Sequence, residues 1–213
     1  MSSDLTFITN EENCTLCDRF NQLIKDSRYF DVLVGYFYTS GFHALYPALE
    51  TTEKIRILIG IGTGKDIVDL IGHSKENEEM EWQFSHTEVK ECFEREVTAE
   101  MEHSEDNLRV EEGIERFISW LKNGKLEIRA YPSRNIHAKL YIMTFKEGDR
   151  DFGRVITGSS NFTQSGLSDN LELNVELKNR SDYEFAAAKF ESLWINSVDV
   201  GEKYINSVET HTW

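Results

Sequence analysis

Residues 136–145 read IHAKLYIMTF, residues 154–166 read RVITGSSNFTQSG, and residues 171–177 read LELNVEL; these three segments decide the fold. Side chains alternate between the two faces of a β-strand. The first segment therefore has an apolar face and a polar face, formed by Ile136, Ala138, Leu140 and Ile142 and by His137, Lys139 and Tyr141, respectively. The last segment alternates in the same way, with Leu171, Leu173, Val175 and Leu177 opposite Glu172, Asn174 and Glu176. Each strand is expected to turn its apolar side to a core and to carry ionisable groups on the other.

The polar faces combine residue types that suit chemistry on a phosphodiester. A histidine acts as nucleophile or general acid near neutral pH because its unperturbed pKa lies close by. His137 is followed two residues later by Lys139, whose positive charge suits a phosphate. Serine and asparagine side chains in the turn Gly158-Ser159-Ser160-Asn161 can donate hydrogen bonds to phosphate oxygens, and a carboxylate on an adjacent strand can fix the tautomer of a histidine. This set of residues lacks the carboxylate or His/Cys cluster that holds a catalytic metal.

His137-x-Lys139 followed by Gly158-Ser159-Ser160-Asn161 resembles the HxK…GSxN signature, the HKD motif, of the phospholipase D superfamily. That family usually has an acidic residue on the strand after the asparagine, and Glu172 is the matching position. The earlier segments YFDVLVGYFYTSGFHAL and KIRILIGIGTG resemble the first two strands of phospholipase D-like nuclease modules, which occur in bacterial restriction enzymes and beside helicase domains. The resemblance extends from about Tyr29 to Trp194.

The resemblance implies a two-step phosphoryl transfer that uses no metal and no other cofactor. Two motif copies meet at one active site in the family, and this chain has one copy, which implies a homodimer with an isologous interface near His137. One His137 would attack phosphorus to form a phosphohistidine, and the other would protonate the leaving oxygen and then activate water. Lys139, Ser159 and Asn161 are expected to hold the non-bridging oxygens, and Glu172 to orient the histidine.

One departure from the family pattern leaves alternatives open. Thr144 stands where the family motif has an aspartate, while Asp149 and Asp151 lie nearby in the predicted turn. A second interpretation is therefore a catalytically weak or inactive phospholipase D-like module, which would dimerise or bind DNA within a helicase or restriction system. A third interpretation, a lipid phosphodiesterase, is disfavoured because the sequence lacks an apolar or basic membrane-binding segment.

The charge is distributed unevenly along the chain. The formal net charge is -15, which by itself disfavours a nucleic-acid partner. Residues 74–116 contain 15 acidic and 5 basic residues, whereas residues 125–180 contain 7 acidic and 9 basic residues. The motif region is thus mildly basic, and DNA remains the favoured substrate, with much of the binding expected from a helicase or restriction partner domain.

The composition is typical of a cytoplasmic protein with a packed core. A hydrophobic content of 39% in 213 residues is sufficient for one domain. Three cysteines, an odd number, favour a reducing compartment. No apolar run approaches the roughly 20 residues needed to cross a bilayer, and residues 1–14 have neither the basic start nor the apolar stretch of a secretory signal.

The remaining sequence predicts an α/β fold, with a mixed β-sheet flanked by helices. Apolar runs predict buried strands at 30–37, 54–61 and 126–131, and helical periodicity predicts helices at 11–27, 39–49, 107–122 and 181–194. The first helix should bury Leu16, Phe20, Leu23 and Ile24, and Ser181 with Glu184 should cap the last helix. The tail, residues 196–213, gives no strong signal. We expect residues 1–213 to form a single domain. An N-terminal module of a larger protein is an alternative that the sequence leaves open.

The acidic segment is predicted to be a helical insertion within residues 74–123. Ser85 and Glu88 form a capping box before a helix with apolar residues every four positions, which would pair with helix 107–122 as a hairpin.

One phosphate-binding motif and one metal-binding motif are rejected because their spacing or ligand number is wrong. The glycines of residues 60–66 are too closely spaced for a nucleotide-binding loop, and Asp66 follows the lysine. Cys14-x-x-Cys17 lacks the second ligand pair that a zinc site needs.

Overall fold

The computed structural model describes residues 6–11, 15–35, 37–60, 108–132, 136–148, 151–201 and 205. Its strands are β1 (Phe7–Ile8), β2 (Ser27–Val34), β3 (Lys54–Gly60), β4 (Leu126–Tyr131), β5 (Lys139–Phe145), β6 (Gly153–Gly158), β7 (Asn174–Leu177) and β8 (Val198–Asp199). Its α-helices are α1 (Leu16–Ile24), α2 (Thr39–Leu49), α3 (Leu108–Lys122) and α4 (Arg180–Ile195). A single wide turn, Ser165–Asp169, closes with a hydrogen bond from Asn170 N to Ser165 O at 2.8 Å.

The strands form one mixed sheet in the order β1-β7-β6-β5-β2-β3-β4-β8. Strands β2, β3 and β4 are mutually parallel, and every other neighbouring pair is antiparallel. The parallel strands therefore end at the same edge of the sheet, where β6 also ends and where β5 and β7 begin. This arrangement confirms the predicted α/β class with a mixed sheet flanked by helices.

Each face of the sheet has its own hydrophobic core. One face packs against helices α1, α2 and α3, and we call it the three-helix face. The other packs against α4, and we call it the α4 face. The α4-face core consists of Leu33, Leu58, Ile142, Val155, Ala186, Phe190 and Trp194. Because β5 has a core on both sides, alternate residues along it are buried in different environments.

Several elements match the sequence prediction closely. Helix α1 buries Leu16, Phe20, Leu23 and Ile24, the four residues expected to face inward, and Thr15 caps it in a capping box with Asp18. Strand β4 has the predicted bounds. Helix α3 ends at Lys122, and Gly124 follows with φ +76, as expected for the end of a helix. These segments have strong local signals, which is why pattern alone places them.

One prediction near the carboxyl end is wrong, and one strand there was not predicted. The residue preceding α4 is Asn179, so Ser181 lies inside the first turn of the helix and does not cap it. Tail residues Val198 and Asp199 form an edge strand against β4, and Val200 is buried. A two-residue edge strand has too few residues for a period-two pattern, so it leaves no trace in the sequence.

The burial of the segment 171–177 differs from the prediction. Its apolar face does point to the α4 side, where Leu177 packs against the core. Leu171 and Leu173, however, are 75% and 58% exposed. The polar face is the more deeply buried one, since Asn174 and Glu176 lie inside the three-helix face. The expected apolar side thus faces a core only at the carboxyl end of this segment, and the burial of its polar side was not predicted.

Buried Glu176 is neutralised by two arginines from distant parts of the chain. Arg19 on α1 donates to both carboxylate oxygens, at 2.7 and 2.8 Å. Arg154 on β6 lies 3.2 Å from Glu176 Oε1 and also donates to Asp151 at 2.6 Å. A charge inside a protein is tolerated only when it is paired in this way. The cluster ties α1 to the β6–β7 hairpin.

Four other predictions fall on parts of the chain outside the described residues. They are the acidic loop at 74–80, the helix beginning near Ser85, the loop after Gly60, and Cys14 of the Cys14-x-x-Cys17 pair. The insertion within 74–123 thus remains a prediction except for its second helix, α3. The single-domain assignment for residues 1–213 also remains a prediction.

Replacing Arg19 by alanine is predicted to lower the free energy of unfolding by about 1.5–3 kcal/mol, because hydrogen bonds to a buried charge are lost. Urea denaturation of the wild type and the variant measures the difference. Arg28→Ala is the control, because Arg28 pairs with Glu53 at the surface and surface ion pairs contribute little. Equal, small losses in both variants would contradict a stabilising role for the Glu176 cluster.

Candidate active site

The segment carrying His137 crosses the ends of two parallel strands. The N–H of Gly35, just after β2, donates to Ala138 O at 3.0 Å. At the end of β3, a Cβ atom on Gly60 would clash with the carbonyl oxygen of Ile136. Glycine at this position lets residue 136 approach the strand end. The sequence pattern placed Gly60 in a rejected nucleotide-binding loop and gave no sign of this close approach.

His137 and Lys139 form a pair on the three-helix face. His137 is exposed, whereas Lys139, the first residue of β5, is only 9% exposed. Lys139 Nζ lies 3.0 Å from His137 Nε2. Burial lowers the pKa of Lys139, and the negative charge of Glu172 partly opposes that effect. The site therefore joins an accessible imidazole to a desolvated cation at the sheet edge.

The turn Gly158-Ser159-Ser160-Asn161 follows β6 at the same edge. Ser159 is exposed, and its hydroxyl donates to Glu172 Oε2 and accepts from Leu173 N at 2.9 Å. Asn161 is half-buried, and within the described residues its Oδ1 atom has no hydrogen-bond partner. This oxygen is a buried acceptor, so the Nδ2 group is the donor with which Asn161 can meet a phosphate oxygen.

Glu172 lies close enough to the site to act on it electrostatically. Its charge opposes the pKa decrease of Lys139, and its carboxylate accepts a hydrogen bond from the Ser159 hydroxyl. The structure thus brings Ser159 and Glu172 together and places Glu172 within electrostatic range of Lys139. Orientation of His137 by Glu172 remains a prediction.

Thr144 occupies the other face of β5 from Lys139. Its hydroxyl and the hydroxyl of Tyr183 on α4 are 2.7 Å apart. Tyr183 packs against the α4-face core. The departure from the family aspartate therefore lies where β5 contacts α4, five residues from Lys139 and on the opposite side of the sheet.

Two buried residues that support the turn were not identified from the sequence as part of the site. Asn174 bonds to both the N–H and the hydroxyl of Ser160, and Tyr141 donates to Ser160 O at 2.8 Å. Burial raises the pKa of the Tyr141 phenol, and the charge of Glu172 adds to the effect. Asn174 and Tyr141 were assigned to polar strand faces, but alternation gives no information about which distant group a polar residue meets.

The described residues contain neither a group of metal-ligating side chains nor a membrane-spanning helix. In that part of the chain, no three His, Cys, Asp or Glu side chains lie close enough together to hold a metal ion. None of the described helices is long and apolar enough to span a membrane.

A family model described as "Cardiolipin synthase, PLD-like domain" matches residues 21–194, most of the chain. The chain belongs to this phospholipase D-like family. The match includes β2 to β7 and every site residue named above. It confirms the resemblance inferred from the HxK and GSxN segments. A search of curated proteins gives no match.

Several solved structures are similar to this chain at low sequence identity. Phosphatidylserine synthase from Haemophilus influenzae Rd KW20 superposes with a TM-score of 0.50 at 12% identity, over 97% of this chain and 44% of that one. NucT from Helicobacter pylori gives 0.48 at 11% identity, over 86% and 90% of the two chains. Nuc from Salmonella typhimurium gives 0.44 at 15% identity, over 85% and 88%. At such identities the likeness concerns the fold alone.

Replacing Thr144 by valine is predicted to lower the free energy of unfolding by about 1 kcal/mol, the usual net value of one hydrogen bond. The rate of phosphodiester cleavage per folded molecule should stay within twofold of the wild type, because the residue faces α4. Urea denaturation and an assay with bis-p-nitrophenyl phosphate measure the two quantities. A large loss of rate in a fully folded Thr144→Val protein would show that the α4 face contributes to catalysis.

Proposed function

We propose that this protein is a metal-independent phosphodiesterase that cleaves DNA through a covalent phosphohistidine intermediate, in an active site shared by two copies of the chain. The observation that carries the proposal is the exposed His137 with the buried Lys139 ammonium 3.0 Å from its Nε2 atom, at the edge that also presents Ser159 and Asn161. A nucleophile, a cation and amide and hydroxyl groups on one edge are the groups that phosphoryl transfer requires.

In the first step, the unprotonated ring nitrogen of His137 attacks phosphorus and forms a P–N bond. The P–O bond to the leaving group breaks, and the imidazolium of His137 in the second copy gives its proton to the leaving oxygen. In the second step, that imidazole takes a proton from water, the water oxygen bonds to phosphorus, and the P–N bond breaks. The two steps together return both histidines to their starting forms.

Lys139 acts in this scheme on the non-bridging phosphate oxygens. The residue Lys139 is only 9% exposed and burial lowers its pKa, and a charge near a low-dielectric site interacts strongly with a developing negative charge. Asn161 supplies a side-chain amide in the same turn as Ser159. Glu172 accepts the hydrogen bond of the Ser159 hydroxyl, so Ser159 donates to a phosphate oxygen by exchanging this acceptor for the substrate, and we assign Glu172 the further role of orienting His137.

Charge near the site supports DNA as the substrate. Residues 125–180, which carry the proposed catalytic groups, contain more basic than acidic residues although the whole chain is strongly acidic. A mildly basic region attracts a polyanion only weakly. Tight binding is therefore assigned to a helicase or restriction partner.

A cleavage assay in EDTA tests the chemistry. The wild type is expected to cleave DNA and bis-p-nitrophenyl phosphate with chelator present. His137→Ala should reduce the rate by about 10³-fold or more, as loss of a nucleophile does, and Lys139→Ala by about 10²–10³-fold. Lys146→Ala is the matched control, because Lys146 follows the opposite end of β5 and should retain the wild-type rate.

Each other outcome contradicts part of the proposal. Cleavage abolished by EDTA would overturn the metal-independent mechanism. A folded wild-type dimer with no activity on either substrate would favour an inactive dimerisation or DNA-binding module. Cleavage of phospholipid vesicles without cleavage of DNA would replace DNA by lipid as the substrate class.

The exposed leucines support the dimeric part of the proposal. Leu171 and Leu173 flank Glu172 and are 75% and 58% exposed, and Leu173 contacts Ser159 through two hydrogen bonds. Apolar side chains exposed beside a polar site are typical of an interaction surface. A second copy that covers them would lie beside Glu172 and Ser159, at the edge of the sheet that also carries His137.

The double variant Leu171→Glu/Leu173→Glu is predicted to be monomeric and to lose activity in parallel with the loss of dimer, because each monomer then lacks a general acid. Sedimentation velocity and the phosphodiester assay measure the two effects. Phe185→Glu is the control, since Phe185 on α4 is also 75% exposed and should leave both properties unchanged. A fully dimeric double variant would show that the interface lies elsewhere.

A further inference from the structure

We propose that Asn174 is a positioning residue, which locks the turn 158–161 in the conformation that presents Ser159 and Asn161 to the phosphate. The inference rests on the proposed function and goes beyond it, because Asn174 itself does not contact the substrate in that scheme. It acts through Ser160, the central residue of the turn.

Ser160 is fully buried, and the amide of Asn174 satisfies two of its polar groups. Ser160 N donates to Asn174 Oδ1 at 3.3 Å, and Asn174 Nδ2 donates to Ser160 Oγ at 2.8 Å. Both residues are 0% exposed. The remaining polar group, Ser160 O, accepts from Tyr141 at 2.8 Å. Every hydrogen-bonding group of Ser160 is therefore held by a buried partner.

The residues on either side of Ser160 are two of the three proposed phosphate contacts. Ser159 is exposed, Ser160 is buried and Asn161 is half-buried, so the turn presents alternate side chains to the site and to the interior. Because Ser160 is fixed, the backbone positions of Ser159 and Asn161 are fixed with it. A shift of about 1 Å in such groups can cost about 100-fold in rate.

The strand that carries Asn174 also holds the start of the turn. Ser159 N donates to Leu173 O at 3.1 Å. A Cβ atom on Gly158 would lie 2.5 Å from Asn174 Oδ1, so glycine allows the amide of Asn174 to approach the backbone of the turn. The same amide thus constrains the turn at both Gly158 and Ser160.

The side chain of Asn174 is suited to this task because one amide both donates and accepts. Aspartate retains the acceptor for Ser160 N and loses the donor to Ser160 Oγ. Alanine loses both and leaves two buried polar groups of Ser160 without partners, which is costly in a dry environment. The two substitutions therefore separate partial from complete loss of the lock.

The first experiment compares kcat of Asn174→Ala, Asn174→Asp and Ser160→Ala on bis-p-nitrophenyl phosphate, per folded molecule determined by urea denaturation. Asn174→Ala is expected to lose about tenfold or more in kcat, and Asn174→Asp less. The double variant Asn174→Ala/Ser160→Ala should be about as slow as Asn174→Ala alone, because both changes break one interaction. Thr144→Val is the control for stability loss and should keep the wild-type kcat.

Wild-type kcat in folded Asn174→Ala would overturn the inference while leaving the proposed function intact. An inactive wild type would contradict the proposed function instead. In that event the positioning role of Asn174 is tested by titrating inorganic phosphate into the wild type and Asn174→Ala while following the imidazole signals of His137 by NMR. At least tenfold weaker phosphate binding by the variant would support the inference, whereas equal binding, or no binding by either protein, would overturn it.

Discussion

The pairing of β5 with β2 is the constraint on which the rest of the site depends. The register places Lys139 opposite Val34, at the last residue of β2. With this register, Lys139 and Tyr141 face the three helices, while Leu140 and Ile142 face α4. Because side chains alternate with period two, a slip of one residue would send Lys139 to the α4 face and bury Leu140 among the three helices. Two hydrophobic cores, one on each face, make such a slip costly.

Three buried polar residues on the three-helix face, Glu176, Asn174 and Lys139, each have a polar partner. Glu176 meets arginines from α1 and β6, Asn174 meets Ser160, and Lys139 meets His137. Burial of such groups is favourable only when their hydrogen bonds are satisfied. Some polar residues on this face therefore stabilise the fold, and others belong to the candidate active site. Glu176 and Asn174 hold the hairpin and the turn, and the rigid frame they form supports Lys139 and Ser159 at the edge.

Local pattern accounts for much of the fold, and the motif spacing for the choice of site residues. Helix α1 and strand β4 could be placed because their residues repeat with a clear period and have strong end signals. Burial along 171–177 could not be predicted, because whether Glu176 is inside depends on Arg19, 157 residues away in the chain. Strand β8 was missed because two residues carry no periodicity. Asn174 was placed on the correct face, but its partner Ser160 depends on the pairing of β6 with β7.

Thr144 stands at the motif position that lies on the α4 face of β5, away from His137 and Lys139. Residues of the family pattern lie on both faces of the sheet at β5. His137 and Lys139 belong to the candidate site, whereas the residue five positions after the lysine contacts α4. A hydroxyl at that position binds Tyr183, so Thr144 fills a structural place in which an aspartate could also accept that hydrogen. The substitution alters how β5 is fastened to α4. Lys139 and the buried amide of Asn174 lie on the other side of the sheet.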